Sequence, residues 1–84
     1  NPIPLDGETL YFTYCAGCHG PDGSGQGIGP DIREDAYEES LGELIEVILE
    51  GDDDMPAIPV SPPEALEIAI WIKTFLGIPE PDDD

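Results

Sequence analysis

Composition limits what this chain of 84 residues can do. Twenty residues are acidic and only Arg33 and Lys73 are basic, so the formal net charge is −18 at pH 7. This balance argues against binding to nucleic acids or anionic membrane surfaces, because basic patches recognise both. It favours a basic protein partner, a saline medium that screens the repulsion, or both.

The sequence predicts a single domain over residues 1–84, with loose tails at 1–4 and 79–84, since no repeat or internal boundary is visible. A core of this size is marginal, and a staple, a metal or a cofactor often adds stability. No apolar run approaches the roughly 20 residues that a spanning helix needs. No signal peptide is recognised, so we expect a start at Asn1 to mark a mature product or a fragment.

The first predicted element is a helix from Leu5 to Ala16. Asp6 is a suitable N-cap, and Leu5 and Leu10 occupy the two positions of a hydrophobic staple. The glycine-rich run Gly20–Pro30 follows and predicts a loop whose backbone passes close to another group. Its glycine spacing matches neither phosphate-binding motif, and its surroundings are acidic.

Two further helices are bounded by stronger local signals. Ser40 and Glu43 form a capping box before the second helix, and Gly51 is a natural stop. The predicted buried stripe of this helix contains Leu41, Leu44, Ile45, Ile48 and Leu49.

The third helix begins at Ser61, with Pro62 at its first position and Glu64 closing a second capping box, and it ends at Gly77. Its interior is apolar around much of its circumference, so we expect it to be largely buried. No segment alternates with period two, and the predicted class is therefore all-α with about three main helices.

Both cysteines and the single histidine lie in Cys15-Ala16-Gly17-Cys18-His19. A structural zinc site needs four ligands, and the chain has no second Cys or His pair. A thioredoxin-type dithiol lacks its βαβ setting, and a disulfide across two residues would constrain little. C-x-x-C-H is also the attachment signature of c-type haem. Residues three apart share a helix face, so both sulfurs can reach one porphyrin while His19 ligates the iron.

Such a haem predicts a second axial ligand. The single methionine, Met55, lies between the second and third helices and is followed by Pro56. A lone methionine is usually core filler, but an acidic connection is an unusual place for filler. Histidine with methionine is a standard iron ligand pair, so Met55 is the predicted sixth ligand.

The chain resembles the class I cytochromes c over nearly its whole length. The likeness rests on a first helix running into CAGCHG, a loop leading to GIGPDI, a middle helix before the MP dipeptide, and the closing helix EALEIAIWIKTFL. The resemblance implies a small cytochrome c fold around one covalently bound haem. It also implies that Gly7 and Tyr11 on the first helix pack against Trp71 on the last. The Pro30 carbonyl is implied to accept the second N–H of His19.

The haem that the resemblance implies would complete the small apolar core of the chain. We expect the following side chains to pack on it or around it: Ile28, Ile32, Leu44, Ile48, Ile58 and Trp71. With both axial positions filled by protein, the expected function is electron transfer rather than catalysis. One alternative is a haem domain or subunit that relays electrons within a larger oxidoreductase. A further alternative is gas or peroxide binding, which needs an open iron position.

The strongly negative charge of this chain differs from that of the many class I cytochromes c that dock through lysines. We therefore expect an acidic face that meets a basic partner, with general solvation in a saline medium as the alternative. A monomer is expected unless the chain is part of a larger complex, and the resemblance implies a periplasmic or otherwise extracytoplasmic location. Arg33 is expected to pair with a haem propionate, with Glu34 or with Asp35. The acidic runs 52–54 and 82–84 lack calcium-loop spacing and predict a solvated turn and a frayed tail.

Overall fold

The structure is a computed structural model that describes residues 6–25, 31–51 and 55–79. Within these ranges the chain forms α1 (Gly7–Tyr14), α2 (Ala16–His19), α3 (Arg33–Glu38), α4 (Leu41–Glu50), α5 (Pro62–Trp71) and a π-helical turn (Ile72–Leu76). No strand occurs among these described residues, which confirms the all-α class. In the same ranges, no helix has the length and apolar character needed to cross a membrane.

The predicted helix starts are present as local hydrogen bonds. Asp6 caps α1 by accepting the N–H of Glu8 at 3.1 Å. Ser40 caps α4 and Ser61 caps α5, each in a complete capping box with a glutamate three residues later. The predicted end of the first helix is wrong by two residues, because the chain turns at Cys15 and begins α2. Leu5, half of the predicted staple, lies outside the described residues.

Helix α3 was not predicted. Only Ala36 of this helix is buried, so the segment has no apolar stripe to indicate a helix. Its last turn is held by Lys73, whose Nζ donates to the carbonyls of Ala36 (3.3 Å), Tyr37 (2.8 Å) and Glu39 (2.7 Å). The carbonyls at a helix C-terminus lack intrahelical partners, and a cation satisfies them well. A side chain 34 to 37 residues away thus stabilises this short helix.

Helices α1 and α5 cross closely at Gly7. A Cβ atom at this position would lie 2.6 Å from the Cβ of Trp71, a distance that no real contact tolerates. The Tyr11 and Trp71 rings pack nearby, with centroids 5.1 Å apart. The packing of Gly7 and Tyr11 against Trp71 that the resemblance implied is therefore present.

The core lies between α1, α4 and α5. Its fully buried side chains include Leu10, Tyr11 and Ile68, and burying an aliphatic side chain of this size contributes about 1.5–3 kcal/mol. The expectation that the last helix is largely buried is wrong for one part of its surface. Leu66 and Ile70 are 37% and 39% exposed, and Phe75 in the π-helical turn is 69% exposed. Helices α1 and α4 pack against α5 and cover only part of its circumference.

Candidate functional site

The Cys15–His19 segment forms a tight turn at the end of α1. The N–H groups of Cys18 and His19 both donate to the Cys15 carbonyl, at 3.2 and 3.0 Å. Cys15 and His19 are buried, whereas Cys18 is exposed, and both cysteines are free thiols in the described structure. The short helix α2 therefore fixes the spacing of two thiols and one imidazole.

Tyr11 holds this turn from the core side. Its hydroxyl donates to the carbonyl of Gly20 at 2.6 Å, directly after His19. Burial, assisted by the nearby Cys15 and Asp22, raises the pKa of Tyr11 to about 12. The phenol therefore remains a protonated donor even in alkaline solution, up to a higher pH than an ordinary tyrosine. On the other side of the turn, the Gly25 N–H donates to the His19 carbonyl at 2.7 Å.

Met55 is placed by the chain reversal that follows α4. Gly51 ends this helix with φ +77°, and a Cβ there would lie 2.5 Å from the Met55 carbonyl oxygen. Only glycine adopts this conformation and this close approach readily. The Ile58 N–H then donates to the Ile48 carbonyl at 2.8 Å, which ties the returning segment to α4. Asp52 to Asp54, the predicted solvated turn, lie outside the described residues.

These segments enclose a cavity of about 470 Å³, within the range of small-molecule and cofactor sites. Cys15, Cys18, His19 and Met55 all line it, although they come from two separate parts of the chain. Much of the remaining wall is apolar and includes Tyr14, Val47, Pro56, Ile68 and Ile72. The cavity therefore combines two thiols, an imidazole and a thioether in a largely apolar setting.

The predicted pocket residues divide into three groups. Ile32, Leu44, Ile48 and Ile58 line the cavity. Trp71 is not among the lining residues and packs instead on Gly7 and Tyr11. Ile28 and Pro30 lie outside the described residues, so their roles stay predictions.

Sequence reasoning missed other parts of the wall. Tyr11 was assigned only to helix packing, although it also lines the cavity. Asp35 in α3 and Glu39, the residue that ends this helix, also line the cavity. Because α3 carries no apolar stripe, no periodicity in the sequence indicated that these residues face a pocket.

The geometry disfavours the competing uses of the cysteines. Burial raises the pKa of the Cys15 thiol to about 11, and the neighbouring Cys18 adds to the shift. A buried thiol that is protonated at neutral pH is a poor nucleophile, so Cys15 is not suited to attack in thiol exchange. Among the described residues, no three His, Cys, Asp or Glu side chains converge to hold a metal ion, as a zinc site would require.

Both basic side chains make contacts within the domain. Of the three partners expected for Arg33, neither Glu34 nor Asp35 is the one observed: Arg33 pairs with Asp31 through Nη2–Oδ2 at 2.8 Å and Nε–Oδ1 at 3.1 Å. Pairing with a haem propionate stays a prediction. The Arg33 backbone N–H also donates to Asp31, at 2.9 Å, so one carboxylate takes three bonds from one residue. Lys73 is bound to the carbonyls at the end of α3.

Comparison with known proteins identifies the family of the chain. The sequence model of the family described as cytochrome C oxidase, cbb3-type, subunit III, matches residues 3–72, most of the chain. This chain belongs to the c-type cytochromes. Its cofactor is haem c, attached covalently through cysteines, and the family is one of electron-transfer proteins.

Individual relatives agree with this assignment. The domain is 36% identical over 68 residues to cytochrome c-551 of Bacillus subtilis (strain 168), a match that covers 81% of this chain and 60% of the relative. The c-type cytochrome KustC0563 superposes with a TM-score of 0.72 at 28% identity, covering 83% of this chain and 96% of that one. Cytochrome cL from the marine methylotrophic bacterium Methylophaga aminisulfidivorans MPT gives a TM-score of 0.66 at 31% identity, with 81% and 49% coverage. The cytochrome domain thus spans 60% of the length of its curated relative.

The cavity of this cytochrome domain fits haem c. Two thiols three residues apart line it, as the two thioether bonds require. An imidazole and a thioether, a standard pair of iron ligands, line the same space. Apolar side chains such as Leu44 and Ile48 supply the wall that a flat macrocycle needs.

Proposed function

We propose that this cytochrome domain transfers single electrons between redox partners through a haem c bound in the described cavity. Cys15 and Cys18 would form the thioether bonds, and His19 and Met55 would be the axial ligands. The observation that carries the proposal is that Met55, 36 residues after His19, lines the same cavity as the whole C-x-x-C-H cluster. A methionine that serves only as core filler need not lie beside the C-x-x-C-H cluster, so this shared lining favours ligation.

The chain's own residues would enclose and hold the group. When bound, haem supplies a one-electron iron couple. Ile32, Leu44, Ile48 and Ile58 would exclude water from it, and an apolar pocket with a thioether ligand favours the ferrous state. Ile28 is proposed to extend this wall. The Pro30 carbonyl is proposed to accept the second N–H of His19 and so fix the ring.

The domain is proposed to act as a carrier rather than an enzyme. With His19 and Met55 both bound to iron, no open position would remain for a substrate. Gas or peroxide binding, by contrast, requires an open or labile position. The spectrum of the ferric protein separates the two functions.

The test of this ligation is the substitution Met55→Ala. We expect the ferric wild-type protein to be low-spin, with a far-red sulfur-to-iron band that the variant loses completely. Ile58→Ala, a change in the same segment and the same cavity wall, is the matched control and should keep the band. A high-spin ferric wild type would refute the proposal in favour of ligand binding at iron.

Covalent attachment is checked separately. The reduced pyridine haemochrome spectrum and the intact mass should together indicate one haem bound through two thioether links. A mass equal to the polypeptide alone, with two free thiols, would overturn the assignment of Cys15 and Cys18.

The proposed partner has a basic docking surface, because the domain has no free cationic ring to offer. Arg33 is paired with Asp31, and Lys73 is bound to backbone carbonyls. We propose that the domain is monomeric unless it belongs to a larger complex. A periplasmic or otherwise extracytoplasmic location is proposed from the family, because haem attachment to C-x-x-C-H is generally completed outside the bacterial cytoplasm.

A relay domain within a larger oxidoreductase is the second candidate function. It is favoured by the family description, which names a subunit of an oxidase. It is also consistent with relatives longer than this chain, which covers 60% of cytochrome c-551 and 49% of cytochrome cL. The full reading frame and the native size of the complex would distinguish a relay domain from a free carrier.

A further inference from the structure

Three aromatic rings form a continuous row on the surface where α1 meets α5. Phe12 is 45% exposed, Trp71 is half-buried and Phe75 is 69% exposed. The Phe12 and Trp71 centroids are 5.9 Å apart, and those of Trp71 and Phe75 are 5.8 Å apart. We call these three residues the aromatic patch. Contiguous exposed apolar surface of this kind is uncommon on soluble domains and marks interaction sites.

The aromatic patch is connected to the cavity through one buried ring. Tyr11 lies 5.1 Å from Trp71, centroid to centroid, and is completely buried. The same tyrosine lines the cavity together with Cys15 and His19. A partner seated over Phe75 would therefore be separated from the cavity wall by only two ring-to-ring contacts.

Carboxylates extend the row on both helices. Glu8 precedes Phe12 by four residues on α1, and Glu67 precedes Trp71 by four residues on α5. Residues at this spacing share one helix face, so each acidic side chain lies one turn from an aromatic ring. Aromatic faces attract cations, and neighbouring carboxylates add to the attraction. The surface is therefore suited to arginine or lysine side chains that carry some apolar surface.

The charge of the domain decides which occupant is suitable. A second copy of this chain would bring another formal charge of −18 and would be repelled. It could offer only two cationic side chains, and the described structure engages both: Arg33 bonds to Asp31, and Lys73 bonds to three carbonyls. An anionic lipid surface would be repelled for the same reason.

We propose that the aromatic patch is a docking surface for a basic redox-partner protein, which would contact Phe12, Trp71 and Phe75 with arginine or lysine side chains. This inference rests on the proposed electron-transfer function and specifies the face on which the partner docks. Exposed aromatic surface, charge and proximity to the cavity all point to the same face.

The experiment is an NMR titration of the ¹⁵N-labelled, haem-loaded ferrous protein with a hexapeptide of arginine and tryptophan. We expect shift changes centred on the Trp71 indole N–H and on the amides of residues 8–12 and 67–76. A hexapeptide of glutamate and tryptophan, the matched control ligand, should produce none. Phe75→Ser should weaken binding of the basic peptide at least fivefold, because it removes the most exposed ring of the aromatic patch. The side chain is largely exposed, so its loss should leave the core intact.

Matched protein variants make the test specific to the aromatic patch. Tyr37→Ser removes another exposed aromatic ring, 52% accessible on α3, and should leave the binding unchanged. Phe12→Ser is an independent second test of the patch and should weaken binding as Phe75→Ser does.

Four results would overturn the inference: shift changes centred elsewhere, binding that survives both Phe variants, patch shifts that depend on protein concentration without peptide, or patch shifts produced only by anionic vesicles. Oxidation of the same sample, followed by its re-reduction with ascorbate, tests the proposed function on its own. A sample that is reduced normally but does not bind at the patch would refute only the docking surface.

Discussion

Two of the contacts that hold α5 and the π-helical turn in place are built from opposite chemistry. The α1–α5 crossing is apolar: Gly7 permits close approach, and the Tyr11 and Trp71 rings pack beside it. The contact between α3 and the π-helical turn is polar, because Lys73 donates to three backbone carbonyls, and the Ile78 N–H donates to the Arg33 carbonyl at 3.0 Å. Both contacts support the cavity, since Tyr11 lines one part of its wall and residues of α3 line another.

The two contacts draw their stability from different sources. An apolar crossing is stabilised by burial, and any added atom in it must displace backbone or core. A polar contact is stabilised by hydrogen bonds to a cation, and its loss leaves carbonyls without donors. The apolar crossing should therefore be the more sensitive to volume, and the polar contact the more sensitive to the loss of one ammonium group.

The largest effect is expected from Gly7→Ala. The new Cβ would lie 2.6 Å from the Trp71 Cβ and even closer to the Glu67 carbonyl oxygen, so α1 would have to move away from α5. Overpacking of this kind costs about 3 kcal/mol, the upper end of the usual range, because the obstacle includes backbone. Urea unfolding of the haem-loaded protein, followed by circular dichroism, measures the change in the free energy of unfolding.

Gly42→Ala is the control for this substitution. Gly42 lies in α4, and the nearest atom to an added Cβ there is the Ser40 hydroxyl oxygen at 3.9 Å. Alanine should be neutral or stabilise this helix by up to about 1 kcal/mol. Equal effects of the two substitutions would show that the α1–α5 crossing is not tightly packed.

Lys73→Met should have the second-largest effect. The substitution keeps most of the side-chain length but removes the donor from three carbonyls. Because water competes for both donor and acceptors, we expect the loss of these bonds to lower the free energy of unfolding by about 2 kcal/mol in total. We expect amide hydrogen exchange to accelerate in α3 and the following turn while the α1–α5 crossing stays protected.

Lys73→Arg sharpens the same comparison. Arginine keeps the charge and the donors, although in a planar geometry that fits three converging carbonyls less well. It should recover part of the lost protection in α3. Exchange that accelerates uniformly over all helices in Lys73→Met would argue against a local role for the ammonium group.

The apolar α1–α5 crossing could be predicted from the sequence. Gly7, Tyr11 and Trp71 were recognised because their roles follow from a family pattern. The capping boxes at Ser40 and Ser61 were recognised because they depend on residues within one turn. Such local signals remain visible in a sequence without any tertiary information.

Helix α3 and its contact with Lys73 could not be predicted in this way. The helix buries only Ala36, and its stabilising partner lies more than 30 residues away in the chain. The exposure of Leu66 and Ile70 also depends on tertiary structure, because it is decided by which helices pack against α5. For the candidate site, the sequence predicted four of the wall residues, Ile32, Leu44, Ile48 and Ile58, whereas the positions of Asp35 and Glu39 in the wall depend on α3.

The smallest effect is expected at Arg33, the other cation of the chain, whose partner is an exposed carboxylate rather than a set of partly buried backbone carbonyls. The Arg33 side chain and its backbone N–H lower the pKa of Asp31 to about 2. Because the folded pKa lies below the ordinary value of about 3.9, the pair's stabilising contribution is complete above that value and is lost as the pH falls toward about 2. Both side chains are well exposed, so solvent reduces this contribution to little.

Arg33→Gln should raise the pKa of Asp31 only part of the way to its ordinary value, since the backbone N–H of residue 33 still donates to the carboxylate. The ¹³C titration of the Asp31 carboxyl carbon measures this shift, and Arg33→Lys should give an intermediate value because it keeps the charge but not the paired geometry. Urea unfolding at neutral pH should barely change in either variant. An unchanged Asp31 titration in Arg33→Gln would assign the low pKa to the backbone bond alone. A loss of stability in Arg33→Gln as large as that in Lys73→Met would contradict the view that burial of the partner groups, rather than charge, sets how much each cation stabilises the fold.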